Sequence, residues 1–204
     1  MTTFVLATHN AHKVDELRRI LGERLGHHQL IGYDGPEPVE DAETFEGNAL
    51  IKARAAAVFT GLPAIADDSG IAVDALGGAP GIHSARYAQL LTGSRRDDGD
   101  NLRLLLANLQ GVVDRAAQFV CAAALVDVAA VDAGSPFEHT ERGTWPGSVL
   151  EAPAGGGGFG YDPIFRPDGL DVSSAQLTAD EKNAQSHRAI AFGLLITKLR
   201  KRYG

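Results

Sequence analysis

The chain has few of the residues that brace a fold from outside or tie it to a surface. Its 204 residues include one cysteine, one methionine and one tryptophan, and aromatics make up only 6%. The lone Cys121 cannot form an internal disulfide. Set in Phe119-Val120-Cys121-Ala122-Ala123-Ala124-Leu125, it reads as a small core residue. No apolar run is long enough to span a bilayer and the amino end lacks a signal-peptide pattern. No membrane partner is therefore expected, and the cytoplasm is the default location. Bases are the minority charge, 19 against 26 acids, for a net charge of -7. That balance argues against nucleic acid as a partner, because a sequence-independent grip on it rests on basic surface. A small anionic substrate needs only a local basic pocket.

What remains is ordinary globular material, 44% hydrophobic and 22% charged, enough for a sizeable core. Its most informative feature is the segment Ala64-Ile65-Ala66-Asp67-Asp68-Ser69-Gly70-Ile71-Ala72-Val73. The flanks read as a buried strand, and a buried carboxylate costs several kcal/mol (~3–5) unless paired, protonated or metal-bound. A divalent cation held by oxygen ligands is the expected partner. Ser69 and Gly70 are expected to turn the chain sharply and bring its backbone to a ligand.

Around that segment the periodicity alternates strand and helix. Thr3 to Thr8 reads as a strand, followed by a helix with Val14, Leu17, Ile20, Leu21 and Leu25 on one face and Asn10 as its N-cap. Gln29 to Tyr33 is a candidate second strand. From Asp34 to Ile51 there are six acids and no Lys or Arg, and a helix beginning near Thr44 carries Asn48, Lys52 and an alanine-rich run. Leu102, Leu105, Leu106 and Leu109 mark another helix. Ala116 to Val131 and Thr140 to Leu150 form an expected antiparallel pair. The closing helix, from about Ser186, places Ile190, Leu194, Leu195 and Leu199 on one face. The pattern predicts an α/β chain around a mixed sheet.

Four groups of residues can carry chemistry. Thr8-His9-Asn10-Ala11-His12-Lys13 joins a strand to a helix N-terminus, where backbone N–H groups, side-chain donors and a lysine suit phosphate. Glu40 and Asp41 can reach Asp67 and Asp68 to complete an oxygen-ligand Mg²⁺ site, with Lys52 available to phosphate. The glycine run from Gly155 introduces Phe159-Gly160-Tyr161-Asp162. A phenylalanine presented for stacking on a base competes there with two aromatics in the core. Finally, Lys182 and Ser186-His187-Arg188 can hydrogen-bond a carbonyl-bearing base or a phosphate.

Taken in order along nearly the whole chain, these stretches resemble the inosine/xanthosine triphosphate pyrophosphatase family. The matching segments are Ala7 to Lys13, Thr44 to Ala49 with Lys52-Ala53, Ala66 to Gly70, Gly77 to Tyr87, Gly158 to Phe165 and Ser186 to Arg188. The resemblance implies a single catalytic domain over 1–204 in an elongated two-lobed α/β fold with the active-site cleft between the lobes. It also implies a homodimer and Mg²⁺-dependent hydrolysis of ITP, dITP and XTP to the monophosphate and pyrophosphate. By position, Asp68 resembles the general base and a metal ligand, with Glu40 and Asp67 near the metal. Thr8, His9, Asn10, Ala11, His12, Lys13 and Lys52 match phosphate-handling positions. Ser69, Phe159, Gly160, Tyr161, Asp162, Lys182, His187 and Arg188 match nucleotide-binding ones. The chain departs from the pattern at His9, where many relatives carry glycine, and at Gly47, where a glutamate is common. Two other functions compete: a related hydrolase of modified pyrimidine or methylated nucleotides, and a nucleotide sensor without turnover.

Overall fold

The computed structural model describes residues 1–93, 95–132 and 135–204. Strand β1 (Thr3–Leu6) leads to helix α1 (Ala11–Leu21), and β2 (Gln29–Gly32) returns beside it. Helix α2 (Phe45–Thr60) precedes β3 (Ala64–Val73). Helices α3 (Tyr87–Thr92) and α4 (Asp98–Asn108) follow, then strands β4 (Ala116–Asp132), β5 (Ser135–Val149) and the short β6 (Phe165–Pro167). Helices α5 (Ala179–Gln185) and α6 (His187–Tyr203) close the chain. The sheet order is β2-β1-β3-β4-β5-β6. β1 runs parallel to both β2 and β3, whereas β6 runs antiparallel to β5. The expected mixed α/β sheet is what forms.

Two compact units divide the chain. One comprises Met1–Asp68, Cys121–Gly143 and His187–Gly204; the other comprises Ser69–Val120 and Thr144–Ser186. In the first, Phe4, Leu6, Ile65 and Leu125 from the strands pack with Leu17 and Leu21 of α1 and with Phe192, Leu195 and Leu199 of α6. In the second, Ile71, Phe119, Trp145 and Phe165 pack with Leu102 and Leu105 of α4. Each core rests on apolar residues recurring at strand and helix periods.

Three expectations need correction. β1 stops at Leu6, because Thr8 is already part of the helix entry. On α6, Ile190 and Leu194 are exposed, and the buried face is instead Ala191, Phe192, Leu195, Ile196 and Leu199. Small residues on that face admit α6 closely to the sheet: a side chain on Gly143 of β5 would strike the His187 carbonyl. Most consequentially, Asp67-Asp68-Ser69-Gly70 is not a turn, and β3 runs unbroken through it. Gly70 serves close approach. A Cβ there would collide with the Gly81 carbonyl and the Ser84 hydroxyl, which accepts from Ile71 N–H at 2.9 Å.

Candidate active site

In the first unit, the loop after β1 is held by its own side chains. Thr8 Oγ1 accepts from Asn10 N–H at 3.2 Å, and Asn10 Oδ1 accepts from Lys13 N–H at 3.2 Å. Asn10 is thus the N-cap that its residue type and position indicate. The cap fixes the first turn of α1 and directs Lys13 to Asp67, Nζ to Oδ2 3.0 Å. Ala11 and His12 are exposed at the helix start. His9 is also exposed, its ring centroid 5.5 Å from that of Tyr33.

Neighbouring residues on a strand point to opposite faces, so Asp67 and Asp68 have separate surroundings. Asp67 is almost wholly buried. Its Oδ2 receives Lys13 and, at 3.4 Å, Nε of Arg188 from α6. Arg188 is itself buried and turns Nη1 to Glu16 of α1 at 2.5 Å. A chain of alternating charge results: Glu16, Arg188, Asp67, Lys13. Burial by itself would raise the Asp67 pKa, but the Lys13, Arg188 and Lys52 charges outweigh it and hold the carboxyl well below the usual range. Asp67 Oδ1 is buried without a hydrogen-bond partner.

Asp68 faces α2. Thr44 caps that helix, and Asn48 and Lys52, four residues apart, share one side of it. Lys52 Nζ lies 3.1 Å from Asp68 Oδ1 and 3.1 Å from Glu40 Oε2. Asn48 donates to Asp68 Oδ2 at 3.3 Å, while its own Oδ1 accepts from Ala42 N–H at 3.0 Å. It thereby secures the acidic loop that carries Glu40. Here burial dominates. It pushes the Asp68 carboxyl upward despite Lys52 and Lys13, and Glu40 adds to the rise. The same carboxylates raise the Lys52 pKa against the effect of its own burial. Two adjacent aspartates are thus tuned in opposite directions.

In the second unit, Ser69 continues β3, half-buried directly after Asp68. Asp162 is buried and fully engaged. It accepts from Phe159 N–H at 2.8 Å, from Ser174 Oγ at 2.8 Å and from Lys182 Nζ at 2.6 Å. Gly158 makes this possible, since its φ is +69° and a side chain would collide with the Asp162 carboxylate. Phe159 is half-buried with Lys182 Nζ 5.3 Å from its ring centre. Tyr161 lies in the core, donating its hydroxyl to the Ser84 carbonyl at 2.8 Å. Core placement and partial exposure are therefore shared between the two aromatics, with Gly160 (φ +61°) between them.

The structure thus joins Thr8, Asn10, Lys13, Asp67 and Arg188 in one network, and Glu40, Lys52 and Asp68 in another. Among the described residues, no group of three or more His, Cys, Asp or Glu is arranged to hold a metal ion. Asp67 is paired away from Glu40, and His187 is buried at the start of α6. Asn48 and Glu16 also belong to these networks. Their signal was present as helical spacing, Asn48 to Lys52 and Lys13 to Glu16.

The Ham1 family model matches residues 4–198. The chain belongs to the Ham1 family. It is 53% identical over 204 residues to the dITP/XTP pyrophosphatase of Leifsonia xyli subsp. xyli, covering 98% of this chain and 96% of that one. It is 49% identical over 210 residues to the protein of the same name from Streptomyces coelicolor, with both chains fully covered. The solved HAM1 protein of Coxiella burnetii superposes with a TM-score of 0.85 at 38% identity, over 98% of this chain and 100% of that one. The Staphylococcus aureus Ham1 protein gives 0.81 at 36% identity, over 98% and 99%.

Within this Ham1 chain, the two departures noted in the sequence have local explanations. At Gly47 a Cβ would sit 2.6 Å from that of Ala42, so the acidic loop closes over the space a side chain needs. The neighbouring Glu46 does not take its place beside Asp68, because Arg142 of β5 binds it at 2.9 Å. His9, in turn, lies against the Tyr33 ring, leaving the Thr8 and Asn10 cap intact.

Proposed function

We propose that this protein hydrolyses deaminated purine nucleoside triphosphates (dITP, XTP and ITP) to the monophosphate and pyrophosphate, with Mg²⁺ as cofactor. The observation that carries the reading is Asp68, a carboxylate raised by burial and steadied by Lys52 and Asn48. Relatives named dITP/XTP pyrophosphatase, about half identical along almost the whole chain, supply the substrate class. A carboxyl whose pKa is raised holds a proton better than an ordinary aspartate, which suits it to accept one from the attacking water. Lys13 and Lys52 bring positive charge to the polyphosphate, where charge develops on the leaving pyrophosphate. The N-terminal turn of α1 adds backbone N–H groups ordered by the Asn10 cap. In the second unit, Lys182, held by Asp162, is a donor that suits the carbonyl of a 6-keto purine better than the amino group of adenine.

The donor set fits a hard divalent cation. Glu40 and Asp68 present oxygens to one shared position, the one at which Lys52 Nζ lies. Glu40 and Asp68 would hold Mg²⁺, which when bound neutralises phosphate charge and polarises the phosphoryl oxygens. A panel of dITP, XTP, ITP, GTP, ATP and a methylated thymidine triphosphate, with product analysis, tests the reading. The expected outcome is pyrophosphate plus monophosphate from the first three. Orthophosphate plus the diphosphate, or preference for the pyrimidine, would overturn it.

A further inference from the structure

The position of Lys52 has a consequence for how a metal reaches the site. Its ammonium touches Glu40 and Asp68 at the same distance, 3.1 Å to each. The Lys52 side chain is 11% exposed, so bulk water does little to screen the contact. Asn48 fixes both sides of this arrangement. It binds Asp68 through its amide N–H and the Glu40 loop through Ala42 N–H, so the carboxylates stay together when the ammonium leaves. Lys52 stands on the second turn of a capped helix, on a long side chain that can swing without any backbone movement.

We propose that Lys52 is a built-in stand-in for the divalent cation, which excludes free metal from the nucleotide-free protein and admits metal only as its triphosphate chelate. The inference rests on the functional reading above, which places Mg²⁺ at Glu40 and Asp68. A free dication must displace the ammonium and leave it beside a second positive charge. A chelated dication arrives with polyphosphate oxygens, which give Lys52 an anionic partner to move to. The carboxylates exchange one cation for another, and Lys52 is delivered to phosphate by the same event. An affinity that depends on a minor, open arrangement is reduced by the fraction of protein in it. If Lys52 leaves the pair about one-tenth of the time, free metal binds roughly tenfold more weakly than the two carboxylates alone allow.

The test titrates nucleotide-free protein with Mn²⁺ alone, following the bound ion by electron paramagnetic resonance and the protein by its melting temperature. Lys52→Met removes the ammonium at nearly constant length. The expected result is binding about tenfold or more tighter in Lys52→Met than in the unaltered protein. Mn²⁺ should also raise the melting temperature of the variant more, restoring it if loss of the lysine has lowered it. The double variant Lys52→Met/Glu40→Gln should lose the gain. Equal Mn²⁺ affinity with and without Lys52 would overturn the proposal, as would a gain that persists without Glu40. Pyrophosphate release from dITP and XTP by the unaltered protein is measured alongside. If release occurs but the Mn²⁺ gain does not, only the stand-in role falls; if release is absent, the functional reading falls on its own.

Discussion

Asparagine substitution at the two adjacent aspartates should separate their roles by different measurements. In Asp67→Asn, Lys13 at 3.0 Å and Arg188 at 3.4 Å lose the charge they share, inside a site where the Asp67 side chain has no exposure. Breaking a buried ion pair by removing one partner costs about 3–5 kcal/mol. Arg188 keeps Glu16 and Lys13 reaches some solvent, so the lower end, about 3 kcal/mol, is expected. For a chain of this size that corresponds to a fall of roughly 6–12 °C in melting temperature. In Asp68→Asn, Lys52 retains Glu40, and burial already disfavours the charge being removed. Stability should then change by no more than about 1 kcal/mol, while turnover of dITP falls by about 10²–10⁴, the usual worth of a general base. Urea denaturation and steady-state pyrophosphate release on both variants supply the comparison. A stable Asp67→Asn, or an Asp68→Asn that unfolds readily or turns over at the unaltered rate, would refute the division of labour.

Two further outcomes follow from the geometry. Gly158→Ala should raise KM more than it lowers kcat and cost about 1–3 kcal/mol in denaturation, because the new methyl strikes the Asp162 carboxylate at a positive φ. The Arg54–Glu138 pair sets a pH dependence: the hydrogen bonds from Arg54, 2.6 Å to each Glu138 oxygen, outweigh partial burial and lower the Glu138 pKa. Its contribution is present above the unfolded glutamate value and is lost as pH falls through the lower folded one. Solvent exposure limits it to about 1 kcal/mol at most. Glu138→Gln should therefore flatten a small part of the acid limb of stability against pH, and an unchanged slope would show that the pair contributes nothing.

Periodicity and residue type were enough to place the helices that carry the site. Asn10 before an amphipathic run and Thr44 before an alanine-rich one are local capping signals, and both act within four residues of where they stand. The same locality limits what residue type can indicate. Asp-Ser-Gly has the composition of a turn, yet β3 continues through it. The need for glycine at position 70 comes from Gly81 and Ser84, which only the folded chain brings there. Likewise Ile190 and Leu194 obey helical spacing, but which flank of α6 is buried depends on where β5 lies against it.

The α/β class, the caps, and the need of two adjacent carboxylates in an apolar strand for partners follow from residue order alone. The sequence carried the family's motifs in order, so the candidate residues could be named. Which cation meets which acid depends on the folded chain. Arg188 reaches Asp67 across 121 positions of sequence and Lys52 reaches Asp68 across 16. Burial and Coulomb attraction depend on distances in space, so neither could be read from order along the chain. That is why the surroundings of Asp67 and Asp68, adjacent in sequence, shift their pKa values in opposite directions.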